Sequence, residues 1–556
     1  MSELIFAIII VSLVIYGQGI AFNKYILKYN DISENFFQTF FFGFIFLGFN
    51  ILLINFFLPI NKLIGTLILI LSVSILIPEI IKYERRNKII KNFIILTILV
   101  FFLIAFSNVY RPDAALYHLP YVSILNESKI ILGLSNLHFR FGHISIIQYI
   151  SSAFNNYLIP IESLSIPAAL IFALFIFFLF SFFIKFMKKN EYTNSLIFFL
   201  LIIISIYSYN RFSEYGNDTP SHIFLILLFI YIVTKNKDEE YFSNIILIST
   251  FLFFLKPFMI ILGFFIFYLF IKQKKKLNKL IKPKIIFSII FLFLWLIKNI
   301  SVSGCLIYPI SSLCIKDLLI TDIKKTNHEE ISGEAWSKDW SNYKEKIYKI
   351  KEYNNNFRWT KTWYENHFKI VIEKFTPILI FLFLIYFLLS LNKQNVKRNQ
   401  ISIDDLIFLL FFLFFVFLWF VKFPLYRYGS SFLIVFFVYL TILFTKNFEY
   451  SKKEKNIKFI FSFFLIISVL AFFTKNSLRI YNNFGSGDYF PIIHNIDSNN
   501  QSKESSFQKI VLGKKGHYFF SNGKLCMYGK SPCTHIELNN IAFSSSYNYK
   551  IFYKKK

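Results

Sequence analysis

The chain has 556 residues, of which 56% are hydrophobic and 21% aromatic, and it carries a formal net charge of +28. No water-soluble fold could bury so much apolar surface, and the runs are continuous, which predicts transmembrane helices of roughly 20 residues each and not the alternating strands of a barrel. The positive charge does not indicate a nucleic-acid partner, because the lysines and arginines collect in short loops between apolar runs, where the positive-inside rule places them in the cytoplasm.

The fold class predicted is therefore an all-α polytopic membrane protein with about 13 to 14 transmembrane helices over residues 1–473. The first apolar run lacks a basic start and a cleavage site, so we expect it to be a retained span. The loops near residues 82–91 and 272–284 anchor the topology and put both termini outside. The runs lie near residues 4–22, 37–58, 63–81, 92–107, 161–184, 193–209, 221–234, 242–255, 258–272, 285–303, 369–391, 404–421, 429–445 and 457–473, of which 242–255 and 258–272 are short enough to form a re-entrant hairpin instead.

The first large loop, residues 108–160, is expected outside, because the next span returns the chain to a basic cluster. Within it, IILGLSNLHFRFGHISIIQYI mixes apolar and polar residues at helical spacing, which is typical of helices that lie in the membrane interface or pack on the bundle. We predict the functional site in this loop, because it concentrates reactive side chains in an otherwise apolar chain: Arg111, Asp113, His118, Glu127, His138, Arg140 and His143.

Asp113 is the residue of this loop best suited to a chemical role. A carboxylate directly beyond a span and near histidines and arginines can act as a general base or a metal ligand. The same residue could instead only cap the helix that AALYHLPYVSIL predicts, as an aspartate after a proline often does. Asp218, in the polar segment NRFSEYGNDTP on the same side, presents the same alternatives.

Basic residues expected on this side are candidates to bind an anionic group: Lys256, Lys298, Arg358 and Arg427. Arg427 lies in a short turn close to the bundle, where a guanidinium suits two-point binding of a phosphate. Lys256 and Lys298 lie at span ends, where a lysine often only extends towards the interface. Residues 304–368 form a separate external soluble loop in which basic and acidic residues are nearly balanced.

Residues 474–556 carry no span and contain short β-like pieces, which predicts a small mixed C-terminal domain. Its excess of basic residues favours the cytoplasm, but the even number of spans and the cysteines favour the exterior. Cys526 and Cys533 are spaced to close a small disulfide loop, and Cys305 and Cys314 could form a second pair; four unpaired thiols are the alternative.

Four segments follow one another in the chain: PDAALYHLP, then LGLSNLHFRFG, then KNISVSGCLIYP and finally LYRYGSS. Together they resemble the GT-C superfamily of glycosyltransferases that use polyprenyl-phosphate sugars. More narrowly, the chain is similar to a group of bacterial membrane proteins that have the same YHLP loop and a C-terminal segment ending in PCT, here CMYGKSPCT. The resemblance covers about residues 92–445 and this last motif.

The resemblance implies that Asp113 is the catalytic base or metal-binding acid of the first external loop and that Asp218 is the second external acid. It also implies that the donor phosphate or substrate contacts Arg427, Arg140, Lys298, His118 and His138. The chain departs from the family pattern in having no D-x-D or D-E pair, since Pro112 and Ala114 flank Asp113. The need for a divalent cation, held by Asp113 and Asp218 if at all, is therefore open.

The function implied is an inverting transfer of a sugar from a polyprenyl-phosphate donor to a lipid-linked glycan or exported acceptor, on the external or periplasmic face of the cytoplasmic membrane. The expected partners are membrane lipid, the donor and the acceptor. One alternative is a glycan polymerase or ligase, which would rely on external arginines and histidines. Another is a non-enzymatic flippase or transporter, which the scarcity of ionisable residues within the spans disfavours.

Overall fold

The computed structural model describes residues 2–28, 36–82, 86–105, 113–209, 215–234, 240–273, 282–343, 349–393, 395–396, 402–449, 454–484, 507–513, 516–522, 525–538 and 540–555. In these residues the α-helices are α1 (Ser2–Ala21), α2 (Phe36–Phe57), α3 (Lys62–Lys82), α4 (Arg86–Ile104), α5 (Leu119–Glu127), α6 (Ile146–Ser152), α7 (Ile166–Lys188), α8 (Tyr192–Ser208), α9 (Asp218–Thr234), α10 (Tyr241–Leu255), α11 (Leu262–Gln273), α12 (Pro283–Ser303), α13 (Ile323–Ser337), α14 (Ile350–Asn355), α15 (Trp359–Trp363), α16 (Lys369–Asn392), α17 (Ile403–Lys422), α18 (Tyr426–Thr445) and α19 (Glu454–Phe484).

Ten helices in the described part of the chain are long and apolar enough to cross a membrane: α1 to α4, α7, α12 and α16 to α19. Four shorter apolar helices, α8 to α11, complete the set of runs that the sequence predicts. The prediction of an all-α polytopic membrane protein is thus confirmed. The predicted boundary between residues 473 and 474 falls inside α19, which continues to Phe484. Beyond that boundary, Arg479 donates to the carbonyls of Phe102 and Ala105 and so ties the end of the helix to α4.

Close helix contact in the bundle depends on small residues. A Cβ atom on Gly19 would lie 1.8 Å from the Thr39 carbonyl oxygen, and one on Gly43 would lie 1.9 Å from that of Ile15. Helices α1 and α2 therefore touch backbone to backbone, an approach that small residues allow between membrane helices. Aromatic side chains fill the wider gaps, as where the Phe22 ring meets Phe287 of α12 edge-on at 4.9 Å.

One end of the bundle, here called the lysine-rich face, carries Lys272, Lys282, Lys284 and Lys446. These lysines pair with acids in neighbouring helices and loops: Lys272 with Asp404, Lys282 and Lys284 with Glu240, and Lys446 with Asp405. The other end, here called the site face, carries residues 113–152, the described residues of the segment 304–368 (304–343 and 349–368) and the strands β3 to β7. The helices α5 and α6 of its first loop are buried against the bundle instead of lying at its surface.

The segment 304–368 has its own small core of Ala335, Tyr343, Tyr353, Trp359 and Trp363. This core is fixed to the bundle, because the Trp363 indole donates to the Pro424 carbonyl at 2.6 Å. A disulfide joins Cys305 to Cys314 at the start of the segment. Its last helix, α15, runs into α16 without a break through the π-helical turn Tyr364–Phe368, so the predicted loop ends on a membrane helix.

The strands are β1 (Asn395–Val396), β2 (Phe448–Glu449), β3 (Phe507–Leu512), β4 (Gly516–Ser521), β5 (Cys533–Thr534), β6 (Ile541–Ser546) and β7 (Tyr549–Lys554). Strands β3 and β4 are antiparallel, β5 joins β4 in parallel, and β6 and β7 form a hairpin. A disulfide joins Cys526 to Cys533. This C-terminal unit packs on the first loop of the site face, where Leu132 exchanges backbone hydrogen bonds of 2.9 Å with Lys550 and Phe552.

Candidate functional site

A cavity of about 160 Å³ opens at the site face, where five stretches of chain meet. It is lined by Asp113, Ala114, Tyr117, His118, Arg140, His143, Ile144, Ser145, Tyr215, Gly216, Asn217, Asp218, Lys256, Pro257, Arg427 and Tyr428. Three cationic side chains and two carboxylates are among these residues, so the cavity has a formal net charge of +1 with its histidines neutral. Such a site favours an anionic ligand over a cationic one.

Asp113 precedes a π-helical turn, Ala114–His118, and its carboxylate makes no capping hydrogen bond to that turn. The carboxylate instead accepts from Arg427, with 3.3 Å between Oδ2 and Nη1. The two side chains are 42% and 39% exposed, so both reach the cavity and solvent. The alternative that Asp113 only caps a helix is therefore not what the structure contains.

Arg427 is the second residue of α18, and its guanidinium is held on several sides. Nη2 donates to the Tyr428 hydroxyl at 3.1 Å, and the guanidinium carbon lies 5.5 Å from the centre of the Trp336 ring. The backbone is fixed as well, since His222 Nε2 lies 2.8 Å from the Arg427 carbonyl and can only donate to it. The Nδ1 of His222 then accepts from Ser431, at 2.7 Å.

Asp218, the first residue of α9, pairs with Lys256, with 2.8 Å between Oδ1 and Nζ. Lys256 lies in the break between α10 and the 3-10 turn Pro257–Ile261, and its ammonium group is 4.1 Å from the centre of the Tyr428 ring. The neighbouring residues are joined as well, since Asn217 donates to the Leu255 carbonyl at 2.5 Å. The cavity thus holds two acid–base pairs, and Tyr428 touches the cation of each.

Gln148 joins the Asp113 segment to the Asp218 segment. Its Oε1 accepts from the Ser145 amide, so its Nε2 faces His118 and the Tyr215 carbonyl as a donor, at 3.0 and 2.8 Å. His118 Nδ1 must therefore accept, and the neutral ring carries its proton on Nε2. Burial lowers the pKa of His118 to about 4, so the imidazole is neutral at pH 7. Beside it, a Cβ on Gly216 would lie only 3.3 Å from Nε2.

Arg140 forms the far wall of the cavity, with its guanidinium over the rings of Tyr117 and Phe139 at 5.6 and 5.0 Å. Burial, reinforced by the Asp113 charge, raises the pKa of the Tyr117 phenol, so this residue is a neutral donor. Burial next to Arg140 and Lys298 lowers the pKa of His143 to about 3.

His138 and Lys298, two of the predicted ligands of the donor, are not at the cavity wall. His138 is buried under the loop, where Nδ1 accepts from the Arg140 amide at 3.0 Å and the ring centre is 4.9 Å from that of His535. Lys298 is fully buried in α12, with its ammonium group 4.2 Å from the centre of the Trp295 ring and 3.4 Å from the Ile144 carbonyl. Aromatic rings and backbone carbonyls enclose both side chains, so neither reaches the cavity.

The other predicted residues are more scattered. Glu127 ends α5 away from the cavity, Arg358 directly precedes α15, and Arg111 lies outside the described residues. Among the residues that the structure describes, no three His, Cys, Asp or Glu side chains are grouped so that they could hold a metal ion. Asp113 and Asp218 are the two carboxylates that a cation in the cavity could contact.

Sequence reasoning missed Gln148 and His222. Neither lines the cavity, but each holds residues that do: Gln148 contacts His118 and Tyr215, and His222 contacts the Arg427 carbonyl. His222 could have been found, because it lies four positions after Asp218 and so on the same face of α9. Gln148 left no such signal, because its partners come from two other segments of the chain.

Comparison with known proteins gives a family and no relative of known activity. Residues 1–434 match a family model described as "Domain of unknown function (DUF8201)". No curated protein matches the chain, and no solved structure does. The match includes every residue that lines the cavity and ends before the C-terminal strands. The chain belongs to the DUF8201 family.

Proposed function

We propose that the protein is an inverting glycosyltransferase that moves a sugar from a polyprenyl-phosphate donor to a hydroxyl of a lipid-linked glycan or exported acceptor. The observation that carries this proposal is the contact of Asp113 with Arg427 in a small, positively charged cavity at the end of a membrane bundle. A carboxylate and a guanidinium at one point are what base-assisted attack beside a phosphate leaving group requires. The reaction takes place on the non-cytoplasmic side, opposite the lysine-rich face.

The donor phosphate binds to the cations of the cavity. Arg427 is its main contact, and Lys256 and Arg140 add positive charge. Negative charge builds up on the phosphate as the glycosidic bond breaks, and donors that are already fixed stabilise that charge without reorganising. Arg427 meets this condition because Tyr428 and Trp336 hold its side chain and His222 holds its carbonyl. A polyprenyl tail stays in the bilayer, which explains why such a cavity belongs at the end of apolar helices.

Asp113 accepts the proton of the acceptor hydroxyl as that oxygen bonds to the anomeric carbon. The bond between the anomeric carbon and the phosphate oxygen breaks on the opposite side, and the polyprenyl phosphate leaves with its electron pair. Before the donor binds, Arg427 holds the carboxylate in place. An ion pair this exposed contributes only about 0 to 1 kcal/mol, so an incoming phosphate can take the guanidinium and release the base.

Asp218 positions a cation of the site and does not take the proton of the acceptor hydroxyl. Its contact with Lys256 keeps the ammonium group over the Tyr428 ring, within the cavity. His118 is neutral and presents an N–H, so it donates a hydrogen bond to the substrate or to the Asp218 loop and does not carry charge. Asp113 and Asp218 are the residues that would hold a divalent cation, which would supply positive charge next to the donor phosphate.

The test is the substitution Asp113→Asn, compared with Asp317→Asn on the same face. Asp317 is exposed and outside the cavity, so it controls for the loss of one surface carboxylate. General-base catalysis contributes about 10²- to 10⁴-fold in rate, so Asp113→Asn should nearly abolish the surface glycan of cells in which it replaces the natural protein. Its expression and melting temperature should stay close to those of Asp317→Asn.

A normal glycan profile with Asp113→Asn would overturn the mechanism. If the glycan were lost only with Arg140 or histidine variants, a polymerase or ligase would be the better description. If purified protein in vesicles moved lipid-linked glycan across the membrane without transferring sugar, the flippase alternative would replace the enzyme.

A further inference from the structure

The carbonyl of Ala115, two residues after Asp113, accepts hydrogen bonds from the far end of the chain. The backbone amides of Cys526 and Met527 both donate to this oxygen, at 3.2 and 2.9 Å. The two amides belong to the turn that the Cys526–Cys533 disulfide closes, here called the clamp turn, residues 526–533. The clamp turn therefore contacts the backbone that carries the proposed base.

The local sequence explains why this carbonyl needs a donor from elsewhere. In the π-helical turn Ala114–His118 the Leu119 amide donates to Ala114, one residue before Ala115. The next donor in a π-helical pattern would be residue 120, which is a proline and has no N–H. Because Ala115 is buried, a carbonyl without a donor there would be costly. The YHLP segment thus creates an acceptor that the clamp turn satisfies.

The clamp turn is held against the same stretch of chain at further points. Ser123 donates to the Gly529 carbonyl at 2.8 Å, and the Tyr528 hydroxyl donates to Asn126 Oδ1 at 3.2 Å. Met527 is buried and has a φ of +55°, a left-handed conformation that disfavours a residue with a side chain. Closing the loop by a disulfide limits the other conformations that this turn could adopt.

We propose that the oxidised clamp turn is a positioning element for Asp113. It holds the π-helical turn through the Ala115 carbonyl, so that the Asp113 carboxylate lies where Arg427 and the cavity require it. The role of Asp113 as the base rests on the proposed function, whereas the hold on the π-helical turn does not. Opening the disulfide frees Cys526 and Met527, and Asp113 then loses its fixed place while Arg427 and Lys256 keep theirs. The consequence is a redox-dependent catalytic rate with a largely unchanged affinity for phosphate.

The experiment uses full-length protein in which Cys305 and Cys314 are replaced by serine. All four cysteines of the chain are in the two disulfides, so the clamp disulfide is then the one bond that dithiothreitol can reduce. Reduction adds two electrons and two protons to the disulfide and leaves two thiols and cyclic oxidised dithiothreitol. Reoxidation with oxidised glutathione reverses it, so the same folded sample serves as its own control.

Hydrogen exchange of the backbone amides is the readout that does not depend on activity. On reduction, the amides of residues 116–119, 526 and 527 should exchange at least about tenfold faster, and reoxidation should restore them. Affinity for a polyprenyl monophosphate in detergent micelles should not fall, and it should rise by at most about fivefold, because the competing contact of Asp113 with Arg427 is weak. Cells carrying Cys526→Ser and Cys533→Ser should produce about 10- to 100-fold less glycan than cells carrying the Cys305→Ser and Cys314→Ser pair, since small misplacement of a catalytic group has effects of this size.

Unchanged exchange of residues 116–119 after complete reduction would overturn the proposal, even if the glycan fell. Faster exchange with full glycan output from the Cys526→Ser and Cys533→Ser variant would also overturn the positioning role. Faster exchange together with no transferase activity in the unsubstituted protein would leave the clamp in place and refute the proposed function instead. If the double serine variant does not fold, reversible reduction of the folded protein still decides the question.

Discussion

Asp113 Oδ2 and Arg427 Nη1 lie 3.3 Å apart although the two residues are separated by 314 positions in the chain. Asp113 comes from the first loop of the site face, and Arg427 comes from the start of α18. Each is about 40% exposed, so the contact is open to a ligand. In the proposed mechanism, a phosphate that binds the guanidinium competes directly with the carboxylate, which links donor binding to release of the base.

Substitution of Arg427 should weaken donor binding, because its planar guanidinium carries a positive charge and can donate two parallel hydrogen bonds to a phosphate. Arg427→Lys keeps the charge but cannot make two parallel hydrogen bonds, and Arg427→Gln loses both, so we expect affinity for a polyprenyl monophosphate to fall by about 10-fold and about 100-fold. Lys369→Gln, at an exposed position outside the cavity, should leave it unchanged. Equal affinity of all three variants would remove Arg427 from the phosphate site.

Gln148→Leu should destabilise the site face. The change removes the donor to His118 Nδ1 and to the Tyr215 carbonyl, and each lost buried hydrogen bond of this kind costs about 1 to 3 kcal/mol. The melting temperature in detergent should fall by several degrees, and the glycan yield should fall with it because the Asp218 segment is no longer tied to the loop. The control is Gln508→Leu on the exposed side of β3, where a similar decrease would show that any glutamine has this effect.

Gly142→Ala should be poorly tolerated, because a Cβ there would lie 2.4 Å from a ring carbon of the buried Tyr308. Displacing a packed ring typically costs about 1 to 3 kcal/mol. The matched substitution Gly333→Ala meets no atom within 4 Å in α13 and should stabilise the helix slightly, by about 0.5 to 1 kcal/mol. Thermal unfolding of the two variants should therefore shift in opposite directions, and a stable Gly142→Ala protein would contradict the packing.

Acidification should destabilise the protein between pH 6.5 and about 4. Burial lowers the pKa of His118 to about 4, so in this range the unfolded chain binds a proton that the folded chain does not. Stability therefore falls as the pH decreases, by about 2 kcal/mol at pH 5 relative to neutral pH. His143, whose pKa is lowered to about 3, acts in the same direction.

The measurement is the melting temperature in detergent at pH 7 and pH 5, for the unsubstituted protein and for His118→Asn. Asparagine keeps an acceptor for Gln148 and does not titrate, so the variant should lose less stability on acidification. An equal loss in both proteins would assign the pH effect to other groups.

Much of the fold was predictable because burial in a membrane is recorded locally in the sequence. Each apolar run of sufficient length appears as a helix, including α8 to α11, which are shorter than the others. The limits were less predictable, since α19 runs past the expected boundary. For residues 130–150 the sequence left two alternatives, the membrane interface or packing on the bundle, and the buried helix α6 agrees with the second. Such details depend on contacts with other helices, which a local pattern does not contain.

The sequence by itself determined the membrane bundle, its lysine-rich loops and the candidates Asp113, Asp218 and Arg427. Hydropathy and side-chain chemistry are properties of single segments and can be read from each segment alone. Only the tertiary structure decided which candidates meet. It joined Asp113 to Arg427 and Asp218 to Lys256, excluded Lys298 and His138 from the cavity, and brought the clamp turn to the Ala115 carbonyl. These outcomes depend on distances of a few ångströms between segments far apart in the chain, and helix packing sets such distances.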